Sequence, residues 1–212
     1  ILQISLENCL PSIFNNKASD AGLFCLNNSG QIIGNQLQTI GQINASNNTG
    51  SIADNTLYSE SFITATNNAG QIIANHLTNI SNVDLNSQGA SGTFSFNVFE
   101  SQSSLTCTNN TSTIDNNYFN ACTVDLTNNS GPFLKNRIEA LSTVTGTNNT
   151  VNISSCVLNR GTLDITNYTG SMDTVYINNG SVNLSAASAQ FFFNTITNCP
   201  SPLDFSASTG TV

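Results

Sequence analysis

Glu100 and Glu139 fall in the same column of a repeating chain, two repeats apart, and Asp115 and Arg137 are expected nearby. Paired carboxylates are the chemistry of glycoside hydrolysis, and their separation sets the mechanism: about 5–5.5 Å for a retaining pair and about 6.5–9.5 Å for an inverting one. Two repeats at the strand spacing is about 9.6 Å. Glu100, Asp115 and Glu139 are therefore the trio that would carry a glycan-cleaving activity. A column with two glutamates is also what a solvated face shows, so the primary expectation is a chain with no catalytic residues. His76 is the single histidine, which leaves neither a Ser-His-Asp triad nor a multi-histidine metal site to build. A surface ion pair with Asp54, one repeat below, is the expectation for it, and no metal or cofactor is expected.

A second set of residues suggests recognition. Thr64, Thr66, Asp84, Thr106, Thr108, Asp125, Thr127, Thr145, Thr147, Asp164 and Thr166 occupy outward positions of an alternating strand that recurs down the chain. Stacked, they make a flat face of short hydroxyls with carboxylates in alternate repeats, suited to a periodic partner such as a crystalline polysaccharide or ice. The plainer reading is that threonine suits an exposed strand and that alternating Asp avoids stacked like charges. Asn27, Asn47, Asn109, Asn128, Asn148 and Asn167 sit in Asn-x-Ser/Thr sequons, acceptors for N-glycosylation in a compartment that performs it.

The elements that position these residues follow from a repeat. Apolar-x-x-Asn-x-apolar occurs as Ile32/Asn35/Leu37, Ile52/Asn55/Leu57, Ile72/Asn75/Leu77, Phe94/Asn97/Phe99 and Ile114/Asn117/Phe119, and again at Asn16, Asn136 and Asn194. Two copies replace the Asn by Cys156 and Val175, and the period stays near 20 throughout. Between copies runs a strict alternation closed by an Asn/Gly turn, as in Ile63-Thr-Ala65-Thr-Asn67-Asn68-Ala69-Gly70. Period-two alternation is a strand with one buried face. A unit this short cannot bury its own apolar side, whereas stacked copies can. The expectation is an all-β chain with no α-helix: a right-handed parallel β-helix of about ten to eleven coils of ~20 residues, one domain over 1–212, without obvious caps. The replacements by Cys and Val mark the Asn column as inward-facing.

Composition narrows the partners. Only 8% of the 212 residues are charged, the net charge is −8, and Lys17, Lys135, Arg137 and Arg160 are the only lysines and arginines. Four cations cannot track a phosphate backbone, so nucleic acid is not expected. The longest apolar runs, such as Phe191-Phe192-Phe193, are far short of the roughly 20 residues a spanning helix needs, so no membrane insertion is expected. Asn, Ser and Thr number 35, 27 and 25, and such short neutral groups can stack at strand spacing where like charges cannot.

The Asn column, with Phe94-x-x-Asn97, Phe133-x-x-Asn136 and Phe191-x-x-Asn194, resembles the right-handed parallel β-helix of the pectin-lyase-like superfamily. It is also similar to the F-x-x-N repeats of polymorphic outer-membrane adhesins of the chlamydial type, to autotransporter passengers and to viral fibre β-helices. The resemblance implies an extracellular, cell-surface or virion-surface rod: an adhesin or a fibre or filament subunit. Its expected partners are surface glycans or further copies of itself, stacked head to tail or as a trimer. A tailspike-like glycan-cleaving enzyme or an ice-binding protein is the alternative.

Overall fold

Each repeat contributes three short strands separated by three corners, and the chain winds into a parallel β-solenoid. The computed structural model describes residues 2–7, 12–27, 29–87, 92–185 and 190–199. Its strands form three parallel sheets of ten strands each, in about nine turns, slightly fewer than the expected count. The alternation also predicts a strand around Leu203–Phe205, which, like Cys9, lies outside the described residues. No helix occurs among the described residues.

Sheet A collects the alternating strands, five residues long in examples such as Phe62–Thr66 and Thr123–Thr127. Sheet B follows with two or three residues, as at Ile72–Ile73 and Thr113–Asp115. Sheet C follows with strands such as His76–Leu77 and Tyr118–Asn120. We number the coils one to ten along the chain, each running A, B, C. Register is kept even where the period lengthens: Phe62 pairs with Asn82, twenty residues on, whereas Ile72 pairs with Phe94. The two extra residues fall between the strands ending at Asn86 and starting at Thr93, because a slip inside a strand would turn its apolar set to solvent.

Inward side chains stack into one continuous core from Ile13 to Phe191. Phe99 packs against Phe94 and Phe119 with ring centroids 5.9 and 5.0 Å away. Each buried Leu, Ile or Phe contributes about 2 kcal/mol from area removed from water, and no coil keeps its share without its neighbours.

The three corners bend by placing residues in the left-handed region. Asn15, Asp54, Asn116 and Lys135 do so between sheets B and C, Asn79, Ala121 and Asn179 between C and A, and Asn47, Asn67 and Asn128 between A and B. Asn and Asp tolerate this conformation best, which accounts for their abundance at these positions. Ile40 and Ile80 adopt it too, at φ 59° and 65°, with more than half of each side chain exposed.

Bending leaves backbone groups unpaired inside each corner, and a polar ladder satisfies them. At the B–C corner, Asn75 Nδ2 donates to the carbonyl of Ile52 at 2.9 Å and to Asn97 Oδ1 at 3.0 Å. Its own Oδ1 accepts the Asn55 backbone N–H at 3.1 Å and Asn55 Nδ2 at 3.0 Å. The same relay runs from Asn16 through Asn35, Asn97 and Asn117 to Asn136. It stops at Cys156, whose thiol meets the carbonyls of Phe133 and Ser154 at 3.5 and 3.4 Å. Burial pushes that thiol up to about 12. The C–A corner uses serine: Ser61 Oγ donates to the Tyr58 carbonyl at 2.6 Å and accepts the Gly41 N–H at 3.0 Å, and Ser142 does the same between Glu139 and Cys122. The A–B corner carries a second asparagine ladder, in which Asn110 N donates to Asn129 Oδ1 and Asn129 N to Asn149 Oδ1.

Candidate binding faces

With the interior closed by apolar columns and ladders, chemistry is left to the outward columns. On sheet A the register runs Asn44, Thr64, Asp84, Thr106, Asp125, Thr145, Asp164, Asn183 in one column and Ser46, Thr66, Asn86, Thr108, Thr127, Thr147, Thr166 in the next. All eleven face residues named from the sequence therefore lie on one sheet in the expected order. A third outward column was missed: Gln42, Phe62, Asn82, Ser104, Thr123, Thr143, Thr162, Ser181. Carrying the alternation one pair toward the start of each strand would have revealed it.

The face changes along the rod. In coils seven to nine its rows read Thr123/Asp125/Thr127, Thr143/Thr145/Thr147 and Thr162/Asp164/Thr166, three hydroxyl or carboxylate groups about 6.7 Å apart along the strand and about 4.8 Å between strands. Thr127 Oγ1 donates to Asp125 Oδ1 at 3.0 Å, and Asn183 Nδ2 donates to Asp164 Oδ1 at 3.0 Å. A shallow hollow of about 320 Å³ lies here, lined by Asp125, Thr145, Asp164 and their neighbours, with Gly146 in its floor. At Gly146 the strand comes so close to coil seven that a Cβ would stand 1.8 Å from the Leu126 carbonyl, so the glycine is required by backbone approach.

Sheet C brings together part of the carboxylate trio. Glu100, Asn120 and Glu139 occupy successive coils of one outward column, followed by Asn159, Asn178 and Thr197. Asp115 does not join them. It sits on sheet B, around the corner, where Ser95 Oγ and Asn116 Nδ2 donate to its carboxylate. The expected nearness of Asp115 to the pair fails because the corner after it turns the chain from sheet B to sheet C. Glu139 is held on both oxygens, accepting Arg137 Nε at 2.6 Å and Asn159 Nδ2 at 2.8 Å. Glu139 in turn holds the Arg137 guanidinium above its ordinary value through that hydrogen bond and its charge. The guanidinium stands 5.9 Å over the Tyr118 ring. His76 pairs with Glu100, one coil above, at 3.0 Å, and not with Asp54, which occupies a corner position.

The sequons occupy a single exposed edge. Asn109, Asn128, Asn148 and Asn167 lie in consecutive coils at the A–B corner, each in the left-handed region. Asn128 Nδ2 donates to Asn109 Oδ1, Asn148 to Asn128 and Asn167 to Asn148, at 3.2, 3.2 and 2.9 Å, and Asn47 donates to Asn27 at 3.0 Å. Among the described residues no group of three or more His, Cys, Asp or Glu converges on a point.

No protein-family model matches the sequence, and no curated protein matches it. Among solved structures, HetL, a pentapeptide repeat protein involved in heterocyst differentiation regulation from the cyanobacterium Nostoc sp. strain PCC 7120, matches over 96% of this chain and 89% of its own. The identity is 10% and the TM-score 0.40, and a likeness at that level carries no argument about this chain.

Proposed function

We propose that the chain is a non-enzymatic adhesive β-solenoid, a surface adhesin or fibre subunit working outside the cell or on a virion, which recognises a periodic partner through sheet A. The observation that carries this reading is the unbroken register of three outward columns, which turns short polar side chains into a two-dimensional lattice. Short β-branched hydroxyls lose little rotamer freedom on contact, so a rigid lattice pays a small ordering cost against a regular ligand. The resemblance of Phe94-x-x-Asn97 and its copies to surface-adhesin repeats supports the same assignment, as do glycans or further copies of the chain as its partner class. Co-sedimentation with insoluble crystalline polysaccharides tests it. The expected result is retention on at least one, lost when Thr127→Tyr and Thr145→Tyr are combined, because bulky rings break the plane without touching the core. Unchanged retention in that variant removes sheet A from the function. Thermal hysteresis that disappears with the same variant would assign the face to ice instead.

A glycan-cleaving role is the second reading, favoured by one observation: Glu100 and Glu139 share a column two coils apart, about 9.6 Å by strand spacing and just beyond the inverting range of about 6.5–9.5 Å. Reducing-sugar release lost in Glu139→Gln would establish it.

A further inference from the structure

The polar ladders of the three corners all lack, among the described residues, a buried side-chain link at the same place, between coils eight and nine. At the B–C corner the asparagine relay reaches Asn136 of coil seven, and the next two members of its column are Cys156 and Val175. The Cys156 thiol turns back to the Phe133 carbonyl of coil seven, and Val175 has no polar side-chain atom to offer. At the A–B corner Asn149 of coil eight also reaches only backward, accepting the Asn129 N–H at 2.9 Å and donating to the Leu126 carbonyl at 2.7 Å. Coil nine puts Tyr168 in that column, and its hydroxyl donates to the Ser171 carbonyl of its own coil at 2.6 Å. At the C–A corner Ser142 ends the serine ladder, and Gly161 and Gly180 take the next two places.

The side-chain bonds that do cross this seam lie at or near the surface, where water competes for them. Asn167 donates to Asn148 Oδ1 at 2.9 Å, Ser171 to Asn152 Oδ1 at 3.0 Å and Asn178 to Asn159 Oδ1 at 3.2 Å. One coil further on the knitting resumes. Asn194 Oδ1 of coil ten accepts the Val175 N–H at 2.9 Å while its Nδ2 donates to the Met172 carbonyl at 3.0 Å, and Ser181 and Asn183 donate to Thr162 and Asp164 of coil nine. Polar side chains therefore tie coils nine and ten to each other more firmly than to coil eight.

The apolar columns and the backbone ladder run through the seam, as Thr162, Thr169 and Tyr176 donate to the carbonyls of Ser142, Asn149 and Cys156. Every pair of coils has that share, so the corner ladders decide which interface is weakest. In a stack of repeats stability is a sum of coil and nearest-neighbour terms, and local opening follows the weakest interface. The corner between the two coils supplies a pivot, with Arg160 in the left-handed region at φ 61° ahead of Gly161.

We propose that coils nine and ten form a separately opening unit, which parts from coil eight as one piece about Arg160 and Gly161 while coils two to eight stay folded. Opening bares the edges of Thr143–Thr147, Ile153–Ser154 and Val157–Asn159, and so converts an interior interface into three strand edges able to pair.

Amide hydrogen exchange of the intact chain, read by mass spectrometry, tests this. Peptides from residues 162–185 and 190–197 are expected to share one opening and to be at least about tenfold less protected than those of coils three to seven, with the step at coil eight. Protection that rises evenly from coil ten inward is ordinary end fraying and overturns the proposal, as does equal protection in coils seven and nine. Thr145 and Asp164 are register partners on the exposed face of sheet A, across the seam, at a strand spacing of about 4.8 Å that a disulfide spans. Thr145→Cys combined with Asp164→Cys, oxidised, is expected to remove the step, whereas the same staple between coils six and seven, Thr106→Cys with Asp125→Cys, leaves it in place. Cys156→Asn combined with Val175→Asn is expected to raise protection of coils nine and ten about fivefold without changing coils three to five. A step that ignores the upper staple, or that the lower staple removes, also overturns the proposal.

Discussion

The B–C and A–B corners are both lined by buried asparagines at the same period, yet they solve the same problem with different completeness. At the B–C corner from Asn35 to Asn117 each amide reaches across coils on both sides. At the A–B corner Asn129 and Asn149 reach back to the carbonyls of Cys107 and Leu126, at 2.9 and 2.7 Å, whereas Asn48 and Asn68 turn forward to the carbonyls of Gly50 and Gly70 within their own coil. Their Oδ1 atoms are buried with no hydrogen-bond partner among the described residues. A residue type at a fixed period therefore does not make a ladder. The orientation of each amide depends on which carbonyl the corner brings within reach, and an amide that bonds locally stops coupling one coil to the next.

Substitutions separate the two corners, and the largest effect belongs to the complete ladder. Asn97→Ala removes the acceptor of the Asn75 backbone N–H and of Asn75 Nδ2, and the donor to the Ile72 carbonyl. Two or three buried groups without partners cost about 4 kcal/mol, measured by urea unfolding. Asn129→Ala orphans the Asn110 N–H and the Cys107 carbonyl, and about 2–3 kcal/mol is expected from the same measurement. A loss for Asn129→Ala equal to that for Asn97→Ala would erase the distinction between the corners.

Where the B–C ladder is interrupted, repairing it should stabilise. Cys156→Asn combined with Val175→Asn supplies the acceptor for Asn136 and continues the relay to Asn194, whose Oδ1 already accepts the residue 175 backbone N–H at 2.9 Å. A gain of about 1 kcal/mol is expected. The same variant changes the response to alkali. Burial raises the Cys156 thiol from 9.0 to about 12 and the Cys25 and Cys122 thiols to about 11. Because the folded state favours the protonated thiol, this share of stability is whole below pH 9 and is lost as pH rises from 9 through the folded values. Stability of the parent chain should fall between pH 9 and 11, and the double variant should fall less over that interval. The smallest effect is expected for Asn68→Ala, under about 1 kcal/mol, because it removes one local bond to Gly70 together with an unpaired buried oxygen.

Much of this architecture could be read from spacing. Ile52, Asn55 and Leu57 with their copies announced a coil, and Ile63-x-Ala65 announced its inward face, because side chains in a strand alternate and a short unit must stack. The Asn75 column was recognised because Cys156 and Val175 replace it. The serine ladder of Ser61, Ser81, Ser103 and Ser142 escaped notice, since a serine one residue past a corner looks like any turn serine until its hydroxyl is seen under a carbonyl. Asn48, Asn68, Asn110, Asn129 and Asn149 read as turn residues for the same reason, although their preceding neighbours, Asn47, Asn109 and Asn128, do face solvent. Of the carboxylates, Glu100 and Glu139 were placed correctly relative to each other. Asp115 was not, because position within a repeat does not say on which side of a corner a side chain emerges.

Periodicity thus sufficed for the class of fold, the inward residues and the order of residues along each column, all of which follow from one-dimensional spacing and the need to bury apolar faces. What joined His76 to Glu100 instead of Asp54, separated Asp115 from sheet C, and aimed each corner amide up, down or inward was the angle through which each corner turns the backbone. That angle is fixed by left-handed residues packed against the coils above and below, and so exists only once the coils are stacked.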